Sequence, residues 1–581
     1  MLIKRRGVSN TDVLTHLHPI LQRIYTSRGI KHESELSLDL HALLPFDALI
    51  GIDKACVRLE QALRLQQRIL VIGDFDADGA TSTALAVSAL RALGAQHVDY
   101  LVPNRFEFGY GLTPAIVEVA RSKTPNLIIT VDNGISSIEG VETANAAGID
   151  VLITDHHLPA ECLPAACAIV NPNQQGDAFL SKSMAGVGVI FYVMLALRRH
   201  LQDIGWFDSQ QLEKPNMSQF LDLVALGTVA DVVGLDHNNR ILVRQGVQRI
   251  RRGLARCGIT ALIEVSGRHA ERLRESDLGF AIAPRLNAAG RLDDMSLGIE
   301  CLLSESLEDA RILAQRLDAL NVERRKIETE MKDQALLALD QLVLTVENGA
   351  LPPGLCLFDP SWHQGVIGVL AGRLKERYHR PVIVFAQVSA TELKGSARSV
   401  PGLNIRDVLA SVDKSKPGLL TKFGGHAMAA GMSMHPTSLN EFKKAFCAEI
   451  ASLTDETLGT DITLTDGALL QEDLTQQVAV LLQEAGPWGQ LFPEPLFDNV
   501  FEVLDQRLVG QHHLKLTLSL PPNGEPIDAI AFQVDLNAWP NHRARFVHAV
   551  YKLDINTYQG RSRLQLIVMN LHAKEEVLCE A

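Results

Sequence analysis

The sequence predicts an α/β multidomain protein: a parallel-sheet domain and a second α/β domain joined by a long helix, followed by a small β-barrel. Three observations predict it. From residue 51 to about 300, apolar β-branched runs alternate with helical patterns, as a parallel sheet with helices on its faces requires. Residues 304 to 345 contain neither Gly nor Pro and set Leu313, Leu317, Leu320, Ile327, Met331 and Leu336 at helical spacing. The tail alternates apolar and polar residues in short runs between turn-rich links.

In chain order, residues 1 to 50 are expected as a helical lead-in punctuated by Pro19, Gly29 and Pro45. In the parallel-sheet domain (51–303), the runs Ile69 to Ile72, Leu127 to Val131 and Val151 to Thr154 are expected as strands. A helix beginning near Ala80 follows the first of them, so its amino-terminal dipole points at whatever that strand end binds. The long helix (304–349) reads as a spacer, with Arg324, Arg325 and Lys326 available to touch a strand of nucleic acid. Pro352, Pro353 and Gly354 break it and open the second α/β domain (350–457). In the tail (458–581), Leu514 to Leu520, Ile527 to Val534, Ala544 to Leu553 and Leu564 to Leu571 fit an OB-type barrel that binds single strands. His512, His513, Lys515, Arg543, Arg545, Tyr551, Lys552, Tyr558, Arg561 and Arg563 supply charge and rings for such a face.

Composition sets the frame. With 46% hydrophobic and 21% charged residues the chain reads as an ordinary soluble protein, and no run approaches the ~20 apolar residues of a membrane span. Its eight cysteines form no Cys-Xaa-Xaa-Cys pair, and Met-Leu-Ile-Lys-Arg-Arg leads into no signal-like stretch, so a reducing cytoplasm is expected. The net charge of −13 argues at first against a nucleic-acid partner. Local sign matters more: Arg and Lys concentrate at 244–256, 268–274, 373–380 and 543–563.

The chemistry lies at the strand ends. Gly-Asp-Phe-Asp-Ala-Asp-Gly (73–79), Val-Asp-Asn-Gly (131–134) and Thr-Asp-His-His (154–157) each follow a predicted strand, and open parallel sheets bind ligands along that edge. Asp231 follows a further apolar run, Phe220 to Ala230. A lone Asp-Xaa-Asp is usually a solvated turn, and a lone His-His pair is usually surface or core; recurrence at successive strand ends points instead to one site. Carboxylates held side by side repel unless cations neutralise them. Oxygen ligands suit Mg²⁺ or Mn²⁺, and an imidazole from His156 favours Mn²⁺. Two such ions roughly 3.5 to 4 Å apart activate water against a phosphate, so phosphate-ester hydrolysis is the expected reaction. In the second domain Ser396, Arg398 and His426, beside Gly424 and Gly425, have the composition of a phosphate cradle.

These strings carry a family resemblance. Asp-His-His at 155–157, with Asp74, Asp76, Asp78, Asp132 and Asp231, resembles the DHH phosphoesterase superfamily. Trp-His-Gln-Gly-Val-Ile-Gly (362–368), Ser-Ala-Arg-Ser (396–399) and Gly-Gly-His-Ala-Met-Ala-Ala-Gly (424–431) look like its DHHA1 domain. Pro-Arg-Leu-Asn-Ala-Ala-Gly-Arg (284–291) looks like a segment of the RecJ branch, single-strand-specific 5′-to-3′ DNA exonucleases. The resemblance implies a DHH domain, a DHHA1 domain and an OB-type domain, with Asp74, Asp76, Asp78, Asp132, His156 and Asp231 as ligands of two divalent ions, Mn²⁺ or Mg²⁺. Asp132 would bridge them, and His157 would assist at the phosphate. Other branches begin the first motif with histidine where this chain has Asp74.

The same resemblance implies that Ser396, Arg398, Gly424, Gly425 and His426 recognise a 5′-terminal phosphate, with Arg105 assisting and Tyr110 stacking on a base. Arg285, Arg291 and His363 join the DNA-binding set. The implied role is single-stranded DNA digestion in repair and recombination, beside a helicase and a single-strand binding protein. Two other functions fit parts of the chain: a phosphodiesterase of short oligonucleotides or cyclic dinucleotides, and a noncatalytic DNA-binding replication scaffold.

Overall fold

The computed structural model describes residues 2–7, 14–104, 107–345, 351–453, 462–510, 512–558 and 561–574. The chain forms two compact units: Ile3–Ala283 with Ile299–Arg311 and Thr463–Ala581, and Pro284–Gly298 with Ile312–Ile462 and the first two residues. Pro284–Gly298, assigned by sequence to the first domain, therefore clusters with the second α/β domain.

The first unit is built on a five-stranded parallel sheet ordered Val98–Leu101, Ile69–Ile72, Leu127–Val131, Asp150–Thr154, Ala168–Val170. The Ile69–Ile72 and Leu127–Val131 strands are buried throughout, which is why they read as unbroken apolar runs rather than alternating ones. Leu70, Ile72, Ile128, Val151 and Ile153 make one core with Ile116 and Val117 of the Pro114–Arg121 helix and Val141 of the Ile138–Ala146 helix. Strand and helix alternate only to Val170; residues 186–303 are helical, so the expected alternation to about 300 holds for the first half alone. The apolar run before Asp231 is part of this helical half, as the Leu221–Ala230 helix.

The lead-in is not simply helical. Among the described residues it holds the Leu2–Arg5 strand, the Pro19–Ser27 helix and 3₁₀ turns at Glu33–Leu36, Leu40–Ala42 and Phe46–Ala48. Its side chains lock onto the C-terminal region: Arg28 Nη1 lies 2.7 Å from Asp466 Oδ1 with both side chains 1% exposed, and Arg5 Nη2 lies 2.9 Å from Asp498 Oδ2.

The tail closes as a barrel in the order Phe497–Val509, His513–Ser519, Ile527–Ala531, Arg561–Lys574, Phe546–Tyr558. Tyr551, expected on a nucleic-acid face, is fully buried with its hydroxyl on Asn499 Oδ1 at 2.8 Å. Alternation had placed it in a strand without fixing which face turns inward.

The second unit contains a mixed sheet ordered Lys422–Gly425, Ala429–Met434, Leu393–Arg398, Val382–Gln387, Leu355–Phe358, in which only the last pair is parallel. The Leu307–Thr345 helix is 39 residues long and is more than a spacer. Its Met331, Ala335 and Leu339 form one core with Trp362, Ile367, Leu370 and Val384. Arg324 is bound to Glu328 at 2.7 Å and is largely covered. Among the described residues no helix is long and apolar enough to cross a membrane.

The Asp498 pairing generates a prediction. Burial alone would raise this carboxyl, but hydrogen bonds from His548, Arg5 and Thr465 outweigh it and hold the pKa at about 2. A depressed carboxyl stabilises the fold above the ordinary carboxylate value and loses that contribution as pH falls through the depressed one. Asp498→Asn should cost about 2 kcal/mol at neutral pH, and in urea titrations the gap from wild type should close between about pH 4 and pH 2. A gap independent of pH would refute the charge-linked role.

Candidate metal and phosphate sites

The sheet edge gathers the predicted cluster. Asp74 and Asp76 follow the Ile69–Ile72 strand, Asp132 follows Leu127–Val131, and His156 and His157 follow Asp150–Thr154. Asp231 arrives differently, as the residue ending the Leu221–Ala230 helix. Asn133, fully buried, donates from Nδ2 to Ile72 O (3.1 Å) and Val131 O (2.9 Å), tying together the two strand ends that precede Asp74 and Asp132. Asp132 itself has φ 63°, a left-handed conformation that Asp tolerates better than most residues, and this turns it out of the strand.

Two disjoint triads have ligand atoms mutually within 4.8 Å: Asp74, Asp76, Asp132 and Asp78, His156, Asp231. Together they contain all six sequence-predicted ligands. A third grouping, Asp132, His156, His157, overlaps both. His156 Nε2 lies 3.1 Å from Asp132 Oδ1 and 3.5 Å from Asp231 Oδ2.

Asp78 has a second duty. Its Oδ2 accepts from Gly186 N at 2.6 Å and its Oδ1 from Val187 N at 2.9 Å. It thereby caps the Gly186–Asp203 helix, whose own N-cap residue, Ala185, has no side-chain acceptor. The approach is close: a Cβ on Gly186 would stand 2.5 Å from Asp132 Cβ and 2.6 Å from its Oδ1, so any side chain there would displace a cluster carboxylate.

The electrostatics call for cations. Burial, then the charge of Asp76, raises the Asp78 carboxyl to about 7. Burial and then Asp78 push Asp132 and Asp231 well above the carboxylate range. Asp132 Oδ1 is buried and, among the described residues, accepts no hydrogen bond, His156 Nε2 at 3.1 Å lying outside hydrogen-bond geometry. A donor set rich in carboxylates, with one imidazole and an inward-facing oxygen, fits Mn²⁺ or Mg²⁺.

Sequence reasoning missed the supports. Asp155, 1% exposed, is the first residue of the Asp-His-His string yet belongs to neither ligand triad. Its Oδ1 accepts from His156 N, His157 N and His157 Nδ1 (2.7 Å), and its Oδ2 from Ile135 N. Burial opposes its charge, but the hydrogen bond from His157, with the charges of His157 and His156, leaves its pKa lowered. Asn171 donates to His157 O at 2.9 Å and Asn173 to His156 O at 2.6 Å, fixing the histidine backbone from the neighbouring strand end. Tyr110 also anchors here: its hydroxyl lies 3.2 Å from both Asp132 O and His157 Nδ1, while the ring is half exposed. Arg105 lies outside the described residues.

The second unit holds the predicted phosphate residues. Ser396 and Arg398 lie on one face of the Leu393–Arg398 strand, with Arg398 Nη1 3.2 Å from Ser396 Oγ. Ser396 pairs with Gly431, and Gly431 with Gly424, leaving a row without side chains beside it. Gly425 ends that strand, and exposed His426 begins the turn after it. The Ile367–Tyr378 helix starts against this face: a Cβ on Gly368 would meet Ser396 Oγ and Arg398 Nη2 at 3.0 Å each. Nearby in sequence, His363 Nδ1 accepts from Gly365 N and Arg291 Nη1 donates to Gly365 O, which brings the 284–291 and 362–368 motifs together. Arg285, expected in the DNA-binding set, is 8% exposed and lies 2.8 Å from Asp318.

Comparison with known proteins agrees with this architecture. Family models match residues 68–228 (DHH family, N-terminal domain), 351–452 (DHHA1 domain) and 465–570 (RecJ OB domain). The single-stranded-DNA-specific exonuclease RecJ of Escherichia coli is 52% identical over 98% of both chains. That of Bacillus subtilis is 32% identical over 96% of this chain and 69% of its own length. The crystal structure of Thermus thermophilus RecJ in complex with Mn²⁺ superposes with a TM-score of 0.81 at 29% identity, covering 99% of this chain and 80% of that one. With the three domains in order and a relative this similar along its whole length, the chain belongs to the RecJ family of single-stranded-DNA-specific exonucleases.

Proposed function

We propose that this chain is a metal-dependent 5′-to-3′ exonuclease that degrades single-stranded DNA to nucleotides. One observation carries the reading: six buried or half-buried ligand candidates fall into two compact triads on one sheet edge of a RecJ-family chain. Asp74, Asp76, Asp132 and Asp78, His156, Asp231 would hold two divalent ions, Mn²⁺ or Mg²⁺. Bound there, such a pair supplies Lewis-acid polarisation of a phosphate and a water acidic enough to act as nucleophile. The chain's own residues position: Asp155 and Tyr110 hold His157 beside the cluster, where it assists at the phosphate, and Asn171 and Asn173 hold the histidine backbone.

The reading extends to the 5′ end. Ser396 and Arg398, facing the start of the Ile367–Tyr378 helix, combine a hydroxyl, a forked cation and backbone N–H groups, a set suited to a terminal phosphate dianion. Gly424, Gly425 and His426 border it, and Arg291, His363 and Tyr110 belong to the DNA-binding set, with Arg105 added by resemblance. Phosphate and stacking contacts leave base sequence unread. The cellular setting inferred with this is the cytoplasm, in DNA repair and recombination beside a helicase and a single-strand binding protein. The seven described cysteines, all free, accord with a reducing compartment.

Asp132→Ala should bind an end-labelled single strand but lose hydrolysis by more than the roughly 10- to 100-fold that an outer partner of a metal site is worth, and chelation should do the same to wild type. Near-native turnover by that variant, freed of contaminating nuclease, would remove the metal assignment. Arg398→Ala should lower the preference for a 5′-phosphorylated strand by roughly 10- to 100-fold, the worth of a charge-assisted contact. Equal losses on strands with and without that phosphate would contradict the end-recognition role.

A further inference from the structure

Beside Asp231, within the first unit, lies a cavity of about 320 Å³ that none of the roles above employs. The same turn that delivers Asp231 forms one wall, through Ala230 and Val232. Trp488 and the segment after it, together with Phe280, also line it. Phe280, at 83%, is the most exposed of the described large apolar residues, and Val232 beside it is 66% exposed.

The walls are held in place. Phe280 sits on a π-helical turn, Leu278–Ile282, a rare conformation that is frequent at functional sites. A Cβ on Gly279 would stand 3.2 Å from Val229 Cγ1, so this turn lies directly on the helix carrying Asp231. Trp488 is fixed by its backbone N–H to Glu275 Oε1 at 2.8 Å, its indole N–H to Leu482 O at 2.9 Å, and the Arg28 guanidinium 5.3 Å above its ring.

We propose that this cavity is a nucleobase subsite of the single-strand substrate, an assignment that rests on the exonuclease reading. Its size suits one flat heterocycle. Its chemistry suits a base: an exposed ring for stacking, apolar walls, and side-chain amides from Gln483 and Gln490 for a base edge, while the charged groups in the lining are already engaged, Arg274 with Asp554, Glu494 with Lys552 and Glu275 with the Trp488 N–H. Its place suits a base whose own backbone runs past the cluster, because Val232 is the residue next to Asp231. Stacking on Phe280 would hold the scissile phosphate in register without reading sequence.

The test pairs a side-chain deletion with a base deletion. Wild type and Phe280→Ala are assayed on 5′-phosphorylated single strands that are intact or carry one abasic residue stepped through the first several positions. On intact DNA the variant should lose about tenfold or more in kcat/KM, from the roughly 1 to 3 kcal/mol that one base–aromatic stack is worth. In wild type one abasic position should cost a similar factor, and on that strand the two enzymes should converge. Additive losses, equal losses at every position, or no loss overturn the subsite. Equal losses at every position would instead give the shelf to backbone or protein contacts. A wild type that fails to digest intact single strands sinks the exonuclease reading itself, a different result from an active enzyme indifferent to missing bases. Thermal melting of Phe280→Ala should match wild type, since the ring is exposed.

Discussion

The structure is organised around a repulsion. Asp78, Asp132 and Asp231 are drawn into one small, largely dry space with Asp74 and Asp76, and both burial and mutual charge oppose ionisation of the first three. Nothing in hydrophobic burial favours that arrangement; the scaffold imposes it. Parallel strands set the separation of Asp74, Asp132 and the histidines, Asn133 ties two of the strand ends, and Asp78 is fastened by two backbone amides of the next helix. A bound cation turns the same arrangement from a cost into an attraction, so metal affinity and the accuracy of the sheet edge are one property.

Much of this was legible because the signals are local. A buried parallel strand announces itself as a continuous β-branched run, and a carboxylate directly after it must sit at the edge. That logic locates Asp74, Asp132 and His156 without help. Asp231 follows an equally apolar run that folds as a helix, since short apolar runs do not distinguish helix from strand by periodicity. Asp155 was overlooked although it is part of the Asp-His-His string: sequence shows three polar residues at a strand end and cannot show that the first points back to hold the third. Gly186 was equally silent, because its importance lies in a contact with Asp132 more than fifty positions away in the chain.

The remaining differences have one cause, the pairing of distant segments. Arg28 and Arg5 are ordinary surface cations in the sequence of a lead-in; Arg28 becomes an internal one only against Asp466, and Arg5 reaches from the surface to buried Asp498. The long helix looks like a spacer until Trp362 and Leu370 are laid against Met331 and Ala335. Tyr551 looks like a stacking ring until barrel closure fixes which parity of its strand faces inward.

The same accounting changes how an acidic chain would meet DNA. Several cations of the basic runs are already paired within the protein: Arg256 with Asp222, Arg268 with Asp277, Arg274 with Asp554, Arg373 with Glu328, Arg545 with Glu502, and Lys552 with Glu494. A cation already paired contributes little to a phosphate's attraction. Attraction for a strand draws as well on the ions that the acidic cluster would recruit, on directed donors such as Arg398 with the helix start beside it, and on stacking at exposed rings. Those are short-range and geometric interactions, which a single strand, with its bases and terminus free to adapt, can satisfy and a stacked, uniformly spaced duplex cannot. Selectivity for single strands would then follow from these geometric contacts rather than from net charge.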